Sequence, residues 1–430
     1  MNNSFDWTIK DLEKWIKKIE KRVKEFNLDF FEQIFEICSY KDMIGYMSYV
    51  GMPSSYPHWS FGKAFEITET KYRYGIGGLP YEMVINSNPC LAYLMENNTL
   101  PIQLITIAHV YGHNDFFKNN INLSYTRPEL VLGRIKTRAD RIRSYIENPS
   151  IGPEKVENLL DIARALSMQR SHSLGSEQSS SDILLFIRDN NPFLEDWEKD
   201  ILTIIDEEAQ YFIPQRETKI MNEGWAVYWH YNIMKSLDLP DGVYQGFAVH
   251  HNRIVSPPPI SVPFINPYHV GFKIWQDIRK RWDKKEGSGK GIERMFFSRE
   301  VDRDASFLRQ YLTKELMKEL DIFQHEKIHR DRIITKISDK ENWREIRELL
   351  IKNTGINSIP VIKVIDANYK KRQGLLIRHC HDGRDLLQEY TIRTMGHLQR
   401  LWKKAVFLET IENGQKVLYQ CVKNKIKRMV

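Results

Sequence analysis

Long apolar runs are missing from this chain. No stretch of about 18 or more uncharged apolar residues occurs, so no membrane-spanning helix is expected. Cysteine is scarce: Cys38, Cys90, Cys380 and Cys421 are the four in 430 residues, and none forms a CxxC pair. That excludes a zinc knuckle and a thioredoxin-like motif, and the wide scatter suits a reducing compartment. The N-terminal stretch "MNNSFDWTIKDLEKW" has no apolar signal-peptide core, so a cytoplasmic protein is expected. There is no P-loop, dinucleotide fingerprint or nucleophile elbow. One-sided charge is also lacking. Net charge is +7 with 28% charged residues, both signs interspersed, and basic segments such as "KNKIKRMV" are short, so no nucleic-acid partner is expected.

What is present is globular. Hydrophobic residues make up 42% and aromatics 12% of a length that predicts two domains. Ile9, Leu12, Trp15, Ile16, Ile19 and Val23 recur at helical spacing. "YEMVIN" reads as a strand. Asn88-Pro89 reads as an N-cap with proline at the first helical position, opening a short helix, and Pro101 opens another. Helical patterns cover 128–148, 153–170 and a segment ending at Pro214. Two more follow, one stopping before Pro240 and one over 270–283. Residues 171–182 form a serine-rich loop, and 255–269 an extended proline-rich segment. Beyond about residue 315, "IPVIKVI" and "GLLIRHC" read as strands, with a hairpin turning on Asn413-Gly414 and a helix near 387–403. The expected fold is mainly α: a large helical, zincin-like (α+β) domain over 1–315, then a small α+β domain over 316–430.

The chemistry-bearing pattern is "AHVYGHNDFF", residues 108–117. A helix puts residues i and i+4 on one face, so His109 and His113 can offer two imidazoles to one ion. With 13 histidines in the chain the spacing also arises by chance. The apolar setting argues for burial, and a buried histidine needs a partner. "MNEGWAVYWH" supplies Glu223 near the start of a second apolar helix, completing a ligand set known from one class of zinc peptidases. Core histidines satisfied by carbonyls, or by Glu223 itself, fit the same spacing. His230, seven residues after Glu223, lies about 10 Å further along that helix and reads as a pocket residue beside the ligands. The literal His-Glu-x-x-His at His325–His329, in "QHEKIHR", sits in a charged run and reads as a solvated helix face. His379 and His381 precede a turn at Asp382-Gly383 and read as a structural hairpin end.

Through "IAHVYGHNDFFKNN" and "TKIMNEGWAVYWHYNIM" the sequence resembles the SpoVR family, stage V sporulation protein R. "YPHWSFGKAFE", "LPYEMVINSNPCLAYLMENN", "FINPYHVGFKIWQDI", "DASFLRQYLTKEL" and "IRHCHDGRDL" agree, so the resemblance spans nearly the whole chain. It implies a cytoplasmic bacterial protein tied to sporulation and formation of the spore cortex, with a functional link to a serine protein kinase. The two main motifs are also similar to remote gluzincin peptidases. That likeness implies His109, His113 and Glu223 as ligands of zinc or another divalent metal such as iron, and it places Val110 where the general base belongs.

Valine cannot move a proton, so a catalytic site here needs another group. The candidates are Asp115 at the helix end, Glu208 in "DEEAQYF" and Glu82 on the proposed strand, with Tyr211 as an oxyanion donor and His230 beside them. Three functions follow. One is a metal-dependent hydrolase, peptidase- or amidase-like, acting on a peptide or a peptidoglycan precursor. Another is a non-catalytic regulator or scaffold whose metal site is structural or vestigial. The third is an iron-dependent oxidoreductase, since two histidines and one carboxylate with open positions also suit non-haem iron.

Overall fold

The computed structural model describes residues 7–52, 55–74, 80–169, 182–257, 265–322 and 342–429, and the backbone of 324–328 and 331–336. It is mainly helical, with a small sheet domain toward the C-terminus. The first helix, α1 (Ile9–Glu25), starts at a capping box formed by Thr8 and Asp11 and buries Leu12, Ile19 and Val23. Strand β1 (Gln33–Cys38) follows, then α2 (Tyr40–Ser48) and α3 (Trp59–Arg73). Strands β2 (Glu82–Ile85) and β3 (Cys90–Met95) complete a three-stranded sheet in the order β1-β3-β2. β3 runs parallel to β1 and antiparallel to β2, with Glu82 opposite Leu94 at the start of the outer strand.

The helix expected after Asn88-Pro89 is therefore the strand β3. As the central strand it has Cys90, Ala92, Tyr93, Leu94 and Met95 buried. A short apolar run shielded on both faces suits such a strand, and that tertiary setting overrides the local cap signal.

Helix α4 (Leu100–Asn119) carries the two histidines, and every residue from Gln103 to Phe117 is buried. A helix apolar on all sides belongs in the centre of a core. Next come α5 (Ile121–Ser124), α6 (Val131–Glu147), α7 (Pro153–Leu166), α8 (Ile183–Asn190) and α9 (Asp196–Glu217). Pro214 does not end α9. The helix runs three residues past it, and Thr218 donates its hydroxyl to the Pro214 carbonyl at 2.8 Å, satisfying an acceptor that the last turn leaves open. Helix α10 (Lys219–Ser236) carries Glu223 and His230 and is buried almost throughout. Its first N–H groups, at Ile220 and Met221, donate to the buried Asp304 carboxylate, each at 2.9 Å.

Helices α11 (Asp241–Ile254) and α12 (Pro267–Glu286) follow, the latter capped by Asn266, whose side chain accepts from the Tyr268 and His269 N–H groups. Helices α13 (Lys290–Val301), α14 (Asp304–Tyr311) and α15 (Lys314–Glu319) precede a two-stranded ladder of β4 (Gln324–Ile328) and β5 (Asp331–Lys336). The helix-face reading of 325–329 fails, since Gln324–Ile328 is a strand; the side chains of His325 and His329 lie outside the described residues. So does the serine-rich segment 171–181.

Two compact units result. One comprises Met1–Lys136 with Pro214–Gly355, the other Thr137–Ile213 with Ile356–Val430. Residues 137–213 thus group with the C-terminal segment rather than with the large helical domain expected over 1–315. The second unit contains most of α6 and α9, α7, α8, helix α17 (Gln388–Trp402) and a sheet ordered β10-β9-β8-β7-β6, built from β6 (Ile362–Tyr369), β7 (Gly374–His379), β8 (Val406–Glu412), β9 (Gln415–Val422) and β10 (Lys425–Met429). Helix α16 (Trp343–Lys352) belongs to the first unit. The grouping has a plain cause. α7 packs on α17, and Asn191 donates to the carbonyls of Leu401 and Trp402 at that helix's end. β7 and β8 are parallel, which requires a crossover, and α17 supplies it.

Within the first unit, α10 touches α4 and α12 backbone to backbone. A Cβ added at Gly112 would stand 2.7 Å from the Ala226 Cα, and one at Gly224 would stand 2.3 Å from the Gly271 carbonyl carbon. Neither neighbour is a flexible side-chain end that can give way. Gly224→Ala is therefore expected to lower unfolding stability by about 2–3 kcal/mol, and Gly133→Ala, where nothing lies within 4 Å, to leave it unchanged or slightly raised. Denaturant unfolding of both variants checks this; a Gly224→Ala variant as stable as the parent contradicts the packing.

Candidate metal centre

The imidazoles of α4 and the carboxylate of α10 converge. His109 Nε2 lies 3.8 Å from Glu223 Oε2, and His113 Nε2 lies 3.5 Å from the same oxygen. Glu82, from the outer strand β2, brings Oε1 to 4.0 Å from His109 Nε2. Donor atoms of Glu82, His109 and His113 all lie within 4.8 Å of one another, so this group could hold a metal ion. A tetrahedral ion with bonds of about 2.0–2.2 Å spaces its donors roughly 3.3–3.6 Å apart, close to the separations seen.

The outer ring nitrogens are held as well. His113 Nδ1 bonds Asn222 Oδ1 at 2.8 Å. An amide oxygen only accepts, so His113 carries its proton on Nδ1 and turns a bare Nε2 inward. His109 Nδ1 faces His230 Nδ1 at 3.0 Å, and His230 Nε2 faces His251 Nδ1 at 2.9 Å. His230 thus touches a candidate ligand from behind. Such partners orient metal-binding histidines and fix their tautomers.

The electrostatics follow from burial and neighbours. Burial, helped by His109, pushes His113 down to about 4, so it is neutral near pH 7. Burial likewise pushes His251 down to about 4 and His230 well below its ordinary value. Glu82 is raised, chiefly by burial and despite His109. Burial pushes Glu223 the same way, but contact with His109, the neighbouring His113 imidazole and Lys219 outweigh it and hold its carboxyl below the usual value. Tyr268, at the first turn of α12, is raised far above the usual phenol range by the Glu223 charge, by burial and by Glu82, so its hydroxyl stays protonated. Two carboxylates with opposed shifts beside one pair of imidazoles make an acid–base arrangement.

Asp115 and the histidines near the C-terminus have partners of their own. Asp115 is fully buried and committed: Oδ1 accepts from Arg299 Nη1 at 2.7 Å and from the Asp29 N–H at 2.8 Å, while Oδ2 accepts from Trp225 Nε1 at 2.8 Å. It ties Asp29, Trp225 and Arg299 to the end of α4. Glu208 and Tyr211 belong to the second compact unit, whereas the imidazole cluster is built from the first alone. In that second unit His379 Nδ1 pairs with Thr410 Oγ1 at 3.0 Å and His381 Nε2 with Asp385 Oδ1 at 2.8 Å, so they share no ligand position.

Sequence reasoning missed Asn222, His251 and Tyr268. Asn222 adjoins Glu223 and was within reach of the same helical argument. His251 and Tyr268 arrive from α11 and α12, and no spacing links them to α4. In metal-free protein, the imidazoles of His113 and His251 are expected to remain neutral from about pH 8 down to about pH 5. Histidine 15N NMR across that range checks it, and a midpoint near 6.5 for either ring contradicts the buried, neutral cluster.

The geometry can be set beside known proteins. The chain matches the family described as SpoVR like protein over residues 6–180 and 169–359, and the SpoVR-like C-terminal domain over 360–413. It is 32% identical to the uncharacterized protein YcgB of Escherichia coli (strain K12), over 94% of this chain and 92% of that protein. No solved structure matches significantly, so the zincin-like fold expectation rests on the two motifs alone. Matches that together run almost from end to end make the chain a member of the SpoVR family.

Proposed function

We propose that this protein is a metal-dependent hydrolase of peptide or amide bonds, acting in sporulation on a protein or peptidoglycan-precursor substrate of the spore cortex. The observation that carries the reading is the convergence of two imidazole Nε2 atoms on the carboxylates of Glu223 and Glu82 in a largely buried cluster. His109, His113 and Glu223 would hold the ion. Zinc suits two nitrogens and an oxygen, and iron suits them as well. A bound divalent ion would supply Lewis acidity and lower the pKa of a water.

Glu82 takes the place of the base missing at Val110. Val110 itself is fully buried and serves the core. With its carboxyl raised by burial, Glu82 can take a proton from the attacking water and return it to the leaving amine. Tyr268, kept protonated beside Glu223, can donate to the developing oxyanion in the role first assigned to Tyr211. Asn222 and His230 hold the two imidazoles in orientation. One observation favours the scaffold alternative: Val110 stands where a His-Glu-x-x-His helix would carry its glutamate.

Elemental analysis of protein purified without a histidine tag, paired with release of new amines from peptide and peptidoglycan fragments, tests the reading. About one ion per chain is expected, lost in a folded His109→Ala/His113→Ala variant. Glu82→Gln should keep the ion and lose roughly 10²–10⁴-fold in hydrolysis. A metal-free wild-type protein contradicts the proposal. A metal-loaded one that cleaves nothing leaves the scaffold reading in its place.

A further inference from the structure

The three imidazoles of His109, His230 and His251 form a chain across α4, α10 and α11. Nδ1 meets Nδ1 at 3.0 Å, then Nε2 meets Nδ1 at 2.9 Å, and all three rings are buried. A neutral imidazole has one N–H donor and one bare acceptor nitrogen. The chain therefore has two self-consistent registers of equal net charge. In one, His109 Nε2 is bare, its Nδ1–H donates to His230, and His230 Nε2–H donates to His251 Nδ1. In the other every proton sits on the opposite nitrogen. His109 Nε2 then bears a hydrogen that points at Glu82 and Glu223, where a cation would have to go.

From this we infer that His251 is a positioning residue of the metal centre: by accepting from His230 it holds His109 in the cation-competent tautomer, and cation binding in turn fixes the tautomer of His251. The inference rests on the metal reading of His109 given above. It adds a residue on α11 that touches neither the ion nor either carboxylate. His251 is packed against the rings of Tyr231, Phe247 and Phe272, with ring centroids 4.7, 5.9 and 5.4 Å away. Among the described residues, His230 Nε2 is the hydrogen-bond partner of its Nδ1. Removing His251 orphans a buried N–H donor in the first register and only a bare acceptor nitrogen in the second. The orphaned donor is the less tolerated, so the chain tips toward the register that closes His109 to a cation.

Two substitutions separate tautomer control from packing. His251→Phe keeps an aromatic ring in the cage but offers no acceptor. His251→Asn loses ring volume but returns an oxygen near the position of Nδ1. Zinc affinity is measured on the full-length chain by competition with a chelator, with thermal unfolding recorded alongside. His251→Phe is expected to bind zinc about 10–100-fold more weakly, and His251→Asn to recover most of that loss despite its poorer packing. In 15N spectra of the wild-type protein, zinc should drive His230 and His251 to a single Nε2–H form.

Wild-type affinity in the Phe variant overturns the inference while leaving the metal centre standing. So does an Asn variant as weak as the Phe variant, because the loss would then follow packing. Wild-type protein that binds no zinc removes the metal reading itself, and the inference with it.

Discussion

Everything at the centre depends on how closely α10 lies between α4 and α12. Gly112 lets the histidine helix meet Ala226 of α10, and Gly224 lets α10 meet Gly271 of α12 on its other side. With backbones this close, short side chains suffice to bridge neighbouring helices. Asn222 and Glu223 reach the imidazoles of α4, and Tyr268 stands beside Glu223 from the first turn of α12. The glycine in the middle of "HVYGH" and the one in "NEGW" are thus part of the site, although neither carries any chemistry.

Buried charge fixes that arrangement from outside the cluster. Asp115, two residues beyond His113, is held by Arg299 and Trp225 and bonds the Asp29 N–H, pinning the end of α4 to three separate segments. Asp304 binds the first N–H groups of α10 and sets where Glu223 begins. Each carboxylate is satisfied by several donors, the condition under which buried charge is tolerated. Burial pushes Asp115 up to about 6 and Asp304 up to about 7 although both serve as positioning elements, so a perturbed carboxyl does not by itself mark a catalytic group.

Much of this was legible in the residues. The i, i+4 histidines within an apolar run, and a glutamate heading a second such run, gave the converging helices. Glu82 was legible as one of three candidate carboxylates, and its approach to His109 needed the fold. The partners of Asp115 were not legible, because helical geometry reports direction and says nothing of groups 86, 110 and 184 residues away. Glu208 and Tyr211 lie in the second compact unit, on a helical stretch of sequence shared between the two units, a division that helical periodicity does not report. The segment 88–95 misled because its Asn-Pro cap signal is local, whereas its strand pairing comes from residues 33–38 and 82–85. His251 was invisible, since its partner is a ring that itself reads as a pocket residue.

The most direct test is anomalous diffraction from crystals grown with zinc. The account expects one ion bonded to Nε2 of His109, Nε2 of His113 and a carboxylate oxygen of Glu223, each at about 2.0–2.2 Å. Zinc bound only elsewhere on the chain, with both imidazoles still engaged by carboxylates alone, would contradict it.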